Sequence, residues 1–169
     1  MASNVCYTLN CNRSYDERDR CTMSRISSKK QPRIGDIYLM YFSGSGSEQS
    51  GWRPGLVFQN NVGNEYSPNI IALPLTTAIK KKGQPTHVMI PSDSTGLKAD
   101  SMVLCENPER MSKTKIGQYI TTLSDEYMAR VAAANLLSSS AISYIEPDML
   151  LSIWQQAISL NINKQQCTA

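Results

Sequence analysis

Between Asp36 and Phe42 the chain alternates Ile37, Leu39 and Tyr41 with Tyr38, Met40 and Phe42, a period of two in which both faces are apolar. This pattern predicts a strand at least partly covered on both sides. Further strands are predicted at Pro54 to Gln59, Asn69 to Thr77, Thr86 to Ile90 and Ser101 to Glu106, with a short one through Tyr119 to Thr122. The segments between them are built from Asn, Gly, Pro, Ser, Asp and Lys, the residues that turn a chain. Short strands at regular spacing predict a small sheet or barrel. Pro74, inside the third run, points to an edge or a bulge because proline offers no N–H to a ladder.

The period then changes. Ser124 precedes Asp125 and Glu126, an N-cap followed by first-turn acids, and Leu123 with Met128 have the spacing of a hydrophobic staple, so a helix is predicted to about Leu137. A last helix is predicted from Pro147, with Leu151, Trp154 and Ile158, flanked by Leu150 and Ile153, forming a broad apolar stripe. Such a stripe needs a partner, in the first place its own domain and otherwise a dimer mate or another protein. Residues 1–32 are polar, mixed in charge and without apolar period, which predicts a loosely ordered extension; 33–140 form the main domain and 141–169 a C-terminal extension carrying the last helix.

Composition narrows the function classes. A chain of 169 residues can bury a core without disulfides or metals, and its apolar runs fall far short of the roughly 20 residues that span a bilayer. The N-terminal pattern of a secretory signal is missing, so a cytoplasmic protein with no membrane partner is expected. The five cysteines, Cys6, Cys11, Cys21, Cys105 and Cys167, are odd in number and irregular in spacing, which reads as free thiols and not as a disulfide framework or metal site. Of the formal +3 charge, residues 1–33 carry a net of +4 and everything after them −1. Binding of nucleic acid would therefore rest on local sites and not on bulk charge.

Several chemistries drop out. His87 is the single histidine and no carboxylate cluster has ligand spacing, which argues against catalytic zinc; no phosphate-cradling Gly-rich motif of the nucleotide-hydrolysing or dinucleotide-binding kinds is present. A Cys105–His87 nucleophile is conceivable by residue type, but a lone cysteine in an apolar run reads as core. No cofactor is expected. What remains is a Gly- and Ser-rich loop, Ser43 to Gly51, followed by Trp52 and then Arg53, which stands immediately before a proline and an apolar strand. A permanent positive charge at a fixed point on a rigid element is a means of holding a phosphate. RNA suits such sparse machinery because its ribose 2′-hydroxyl is its own nucleophile.

The residues from Gly46-Ser47-Glu48-Gln49 through Arg53-Pro54 to Ser67-Pro68, together with Gly35-Asp36, Leu73-Pro74-Leu75-Thr76, Pro85-Thr86-His87 and Asp100 to Glu106, resemble the MazF/PemK family of toxin endoribonucleases. The resemblance covers about residues 33 to 140. It implies an SH3-like small barrel or bent antiparallel sheet, mainly β with appended helices, of the MazF/PemK/CcdB type, and as partners single-stranded RNA, a cognate antitoxin and a second copy in a homodimer. It implies metal-independent, sequence-selective cleavage that leaves a 2′,3′-cyclic phosphate and a 5′-hydroxyl, and it places the catalytic pair on Arg53 and Thr76. Around that pair, Ser47, Glu48, Gln49, Trp52, Asn60, His87 and Glu106 are candidate RNA contacts, with Phe42 and Tyr66 as further stacking aromatics. Each also has a structural alternative: an ion pair for Arg53, a solvated loop tip for Ser47 to Gln49, core packing for the aromatics and His87. Lys80-Lys81-Lys82 reads as a solvated turn. After Glu106 the family commonly continues with glutamine, whereas this chain has Asn107-Pro108, and Arg110 is out of step with the family's basic position. Two alternatives stay open, a CcdB-like toxin that poisons a protein target without cleaving RNA, and a degenerate member that only binds RNA or antitoxin.

Overall fold

Strand β1 (Asp36–Ser43) is the middle of an antiparallel system, with β2 (Ser50–Val57) on one side and β7 (Ile116–Thr122) on the other. The computed structural model describes residues 30–44, 50–78, 83–93 and 95–166, with side chains of the last helix described to residue 159. β2 pairs with β3 (Asn69–Thr76), and β3 with β5 (Ser101–Leu104), which carries β4 (His87–Ile90) on its far side; the order across the sheet is β4-β5-β3-β2-β1-β7. β6 (Glu109–Ser112) also pairs with β3. This is the mainly antiparallel sheet with appended helices that the family resemblance implies, and the small sheet that the short strands predict.

Both faces of the sheet are covered, as the double apolar face of β1 requires. Ile37, Leu56, Leu73, Leu75, Val88 and Val103 pack on one face against Val131 and Ala134 of helix α2 (Asp125–Ser139). Tyr38, Met40, Phe42, Val57, Ile70, Ala72 and Met111 pack on the other. The staple at the start of α2 is in place: Leu123 is buried, Met128 packs against the first cluster, and the Met128 N–H donates to the Ser124 carbonyl at 3.0 Å. Ser124 has the extended backbone of an N-cap but makes no side-chain capping bond. The first-turn acids Asp125 and Glu126 are left to complement the helix N-terminus by charge.

Four features differ from the sequence reading. β2 begins at Ser50, so Arg53 and Pro54 lie inside the strand, Pro54 opposite Leu39. The ladder to β3 stops at Gly55, so the missing proline N–H removes no rung on that side. Pro74 lies where β3 changes partner, from β6 at Asn69–Ala72 to β5 at Leu75 and Thr76. Helix α1 (Asn61–Tyr66) and β6 are additional: α1 is six residues with one buried side chain, and β6 buries only Met111, too little for a visible period.

The last helix, α3 (Pro147–Gln166), starts at the predicted proline, but its stripe does not pack on its own domain. Leu150, Leu151, Ile153, Trp154 and Ile158 are all exposed. The physical reason is that α2 already closes the first cluster, leaving α3 no apolar face of the sheet to cover.

At the start of the domain, Asp36 is 1% exposed and accepts hydrogen bonds from Lys30 Nζ at 2.9 Å, the Arg33 N–H at 2.9 Å and Thr122 Oγ1 at 2.6 Å. A buried carboxylate is tolerated because its oxygens are occupied. Cys105 is buried in the first cluster, and burial pushes its thiol up to about 12. It lies on the α2 face of the sheet while His87 pairs with Leu104 on the other alternation, which rules out a Cys105–His87 nucleophile.

Two outcomes are expected. A Cβ at Gly55 would stand 2.6 Å from Met40 Sδ and 2.9 Å from Phe42 Cζ, so Gly55→Ala should cost about 1–3 kcal/mol by overpacking. Urea titration would read this as a lowered midpoint with an unchanged slope. Because the folded Cys105 thiol titrates above its ordinary 9.0, its contribution to stability is complete below about 9 and is lost as pH rises toward about 12. Alkylation at pH 8 with mass-spectrometric mapping should leave Cys105 unmodified until denaturant is added; labelling of the native protein at Cys105 would contradict its burial.

Candidate active site

Arg53 stands in the middle of β2, opposite Met40 of β1, and strand alternation puts its side chain on the face of Gly55 and Val57. That is the face of the second apolar cluster. One guanidinium nitrogen, Nη2, donates to the Ser50 carbonyl at 2.6 Å, at the start of β2. Nε is buried and has no hydrogen-bond partner. Burial pulls the guanidinium below its ordinary value, and the carboxylate of Glu109 acts the other way. The side chain is thus half-sunk and tethered through Nη2.

The register brings Thr76 to the same place. β2 and β3 pair as Val57 with Ala72, Leu56 with Leu73 and Gly55 with Pro74. Two residues beyond that last rung, Arg53 on β2 and Thr76 on β3 keep the same alternation, at the point where β3 has turned to pair with β5. Leu73 and Leu75 belong to the α2-side cluster, so Thr76 falls on the Arg53 face. Its Oγ1 accepts the Ala78 N–H at 3.2 Å, which holds the oxygen and leaves the hydroxyl proton to be donated elsewhere. Thr77 lies past the end of the strand and takes the opposite alternation.

Glu109 also belongs to this face and escaped the sequence reading. It is opposite Ala72 on β3, and the next inward residue of its strand, Met111, is opposite Ile70; Met111, Ile70 and Ala72 all lie in the second cluster. The only signal in the chain was the two-residue spacing of Glu109 and Met111 behind Pro108.

The other candidates are dispersed. His87 Nε2 is 2.8 Å from Glu106 Oε1, so these two are brought together, on the strand pair β4–β5, two strand spacings across and two residues along from Thr76, about 12 Å. With the proton on Nε2, buried Nδ1 keeps only a lone pair unmatched, the cheaper of the two orphans. Trp52 alternates away from Arg53: its ring meets Tyr41 edge-on at 5.7 Å and lies beside Gly117, on the other face. Asn60 caps α1, its side-chain oxygen accepting the Gly63 N–H at 2.9 Å. Phe42 is core, whereas Tyr66 is 77% exposed. Ser47, Glu48 and Gln49, and Lys80 to Lys82, lie outside the described residues.

Comparison with known proteins agrees with this architecture. Residues 33–137 match the family described as PemK-like, MazF-like toxin of type II toxin-antitoxin system. The chain is similar to Endoribonuclease EndoA of Bacillus subtilis (strain 168), 40% identical over 111 residues, which are 65% of this chain and 96% of EndoA. Among solved structures it is similar to a mycobacterial endoribonuclease in complex with its cognate antitoxin, at 25% identity and a TM-score of 0.53, covering 64% of this chain and 95% of that one. MazF from Deinococcus radiodurans shares the fold at 23% identity and a TM-score of 0.55, covering 64% of this chain and 96% of that one. With more than half of its length matched in this way, the chain belongs to the PemK-like, MazF-like toxins of type II toxin-antitoxin systems.

Proposed function

We infer that this toxin is an endoribonuclease that cleaves single-stranded RNA at selected sequences, without a metal, through attack of the ribose 2′-hydroxyl on the adjacent phosphorus. The observation that carries the reading is the placement of Arg53 and Thr76 on one face of the sheet, each two residues beyond the last rung between β2 and β3. A phosphate placed there meets a permanent cation in a half-dry setting, where its charge is worth more than in water. Thr76 donates its hydroxyl to a non-bridging oxygen as charge builds on the phosphorane. Arg53 stabilises the same charge through its planar donors and gives a proton to the leaving 5′-oxygen, for which the lowering by burial suits it. The products are a 2′,3′-cyclic phosphate and a 5′-hydroxyl.

His87 and Glu106, locked to each other, contact a nucleotide beside the scissile one, and Tyr66 offers an exposed ring for stacking. Ser47, Glu48 and Gln49, which precede Ser50 in sequence, are further candidate RNA contacts, and Ser50 holds Arg53. Trp52 and Asn60 have structural duties and are left out of the RNA contacts. The mycobacterial relative's complex with its cognate antitoxin supports an antitoxin as the protein partner here, and the family fold supports action as a homodimer in the cytoplasm. No helix among the described residues is long and apolar enough to cross a membrane.

Incubating the purified protein with a long single-stranded RNA in excess chelator, and mapping product ends, tests this reading. Discrete cuts ending in cyclic phosphate are expected. Arg53→Ala should slow cleavage by at least about 10³-fold and Thr76→Ala by about 10²–10³-fold, with both variants folded. A well-folded wild-type protein that leaves RNA intact would return the choice to target poisoning or binding alone.

A further inference from the structure

Helix α3 lies outside the part of the chain that the family accounts for: the family match ends at residue 137, and α3 begins beyond it, at Pro147. Every residue from Pro147 to Ser159 is exposed. A helix of 20 residues that includes Ser152, Ile153, Ile158 and Ser159, all weak helix formers, gains little stability from its own backbone hydrogen bonds in water. Helices in proteins are held chiefly by burial of one apolar face. α3 has such a face: Leu150, Ile153, Trp154 and Ile158 recur at spacings of three and four, with Leu151 at its edge. Ser152, Gln155, Gln156 and Ser159 take the opposite side.

We infer that this stripe is a self-association surface, covered by the same helix of a second copy of the chain. Area supports a second copy. Leu150, Leu151, Ile153, Trp154 and Ile158 are each between 38% and 61% exposed. Together they present roughly 500 Å² of apolar surface, toward the top of the range for the largest such patch on a monomer. Two copies face to face would cover about 1,000 Å², the size at which an association becomes specific. Charge supports it as well. Among the described side chains of α3 the one charge is Asp148, in the first turn, where it complements the helix N-terminus and stands outside the stripe. Two copies therefore meet without opposing like charges, while a charged partner would find nothing on the stripe to pair with. The described polar side carries no Lys or Arg, the residues that attract a helix to an anionic membrane surface. A contact of the helix with its own copy is isologous, and the burial that joins the copies supplies the stability that the free helix lacks. Because α3 lies outside the family match, this contact adds to any pairing made by the toxin body itself.

The test is analytical ultracentrifugation of the full chain from about 1 to 100 μM, the range in which interfaces of this size dissociate. Reductant is kept present, because five cysteines could otherwise link copies by disulfides. Wild type is compared with Leu151→Glu and Trp154→Glu, which place a charge on the stripe, and with Ser152→Glu, which places the same charge on the polar side. All three positions are exposed, so the domain should keep its fold, read as an unchanged urea midpoint. One association step should weaken at least tenfold in both stripe variants and stay within about twofold of wild type in Ser152→Glu. Amide exchange supplies a second readout: residues 147–159 should be protected in wild type and Ser152→Glu at 100-fold excess over the dissociation constant, and should exchange fast in both stripe variants. Stripe variants that dissociate at the same concentration as wild type would overturn self-pairing and leave the face to another protein. A Ser152→Glu variant weakened as much as Trp154→Glu would overturn the placement of the contact on the stripe. Equally fast exchange of 147–159 in wild type and stripe variants would overturn it too. Cleavage of RNA enters none of these measurements, so their failure leaves the nuclease reading untouched.

Discussion

The register between β2 and β3 is the constraint on which the rest depends. Gly55 faces Pro74 at its last rung, and Gly55 has to be glycine because Met40 and Phe42 of the neighbouring strand occupy the space of a side chain. A slip of one residue would carry Leu56 and Leu73 out of the core and turn Arg53 to the opposite face of the sheet. Core packing on both faces forbids that slip. The placement of the charged side chain is thus fixed by apolar residues that touch no substrate.

Two-sided burial also sets the electrostatics of the proposed site. The α2 face is closed by Val131 and Ala134, while Arg53 stands half-buried on the face of the opposite cluster. Half-burial costs the guanidinium part of its hydration, yet it makes the charge worth more to a phosphate than it would be in water. The tether from Arg53 to the Ser50 carbonyl and the N–H held on Thr76 Oγ1 fix both groups through backbone, leaving few rotamers to be lost on binding. A site made in this way is organised before any phosphate arrives.

What the sequence disclosed follows from how each element is stabilised. β1, β3 and β5 bury alternating or continuous apolar runs, so their period is written in the residues themselves, and α2 carries its staple at Leu123 and Met128. α1 and β6 are stabilised by the elements next to them: α1 by the Asn60 cap and by Asn64, whose Nδ2 donates to the Gln59 carbonyl at 2.8 Å, and β6 by its ladder to β3. Neither leaves a period to read. The same asymmetry governs the site. Arg53 stood out because an arginine beside a proline and a glycine-rich loop is odd on its own, but Thr76 depended on the family resemblance and Glu109 on a strand that only tertiary pairing creates. Trp52 shows the converse, since adjacency in sequence to Arg53 means opposition in a strand, and its ring lies against Tyr41.

Charge distribution gives this arrangement its economy. Beyond residue 33 the chain sums to −1, so the folded body has no general attraction for a polyanion. Non-specific RNA binding, which grows with each phosphate neutralised, is correspondingly weak. Discrimination then falls to the few groups that meet RNA at fixed positions, because a small contact set leaves each mismatched base a large share of the total binding free energy.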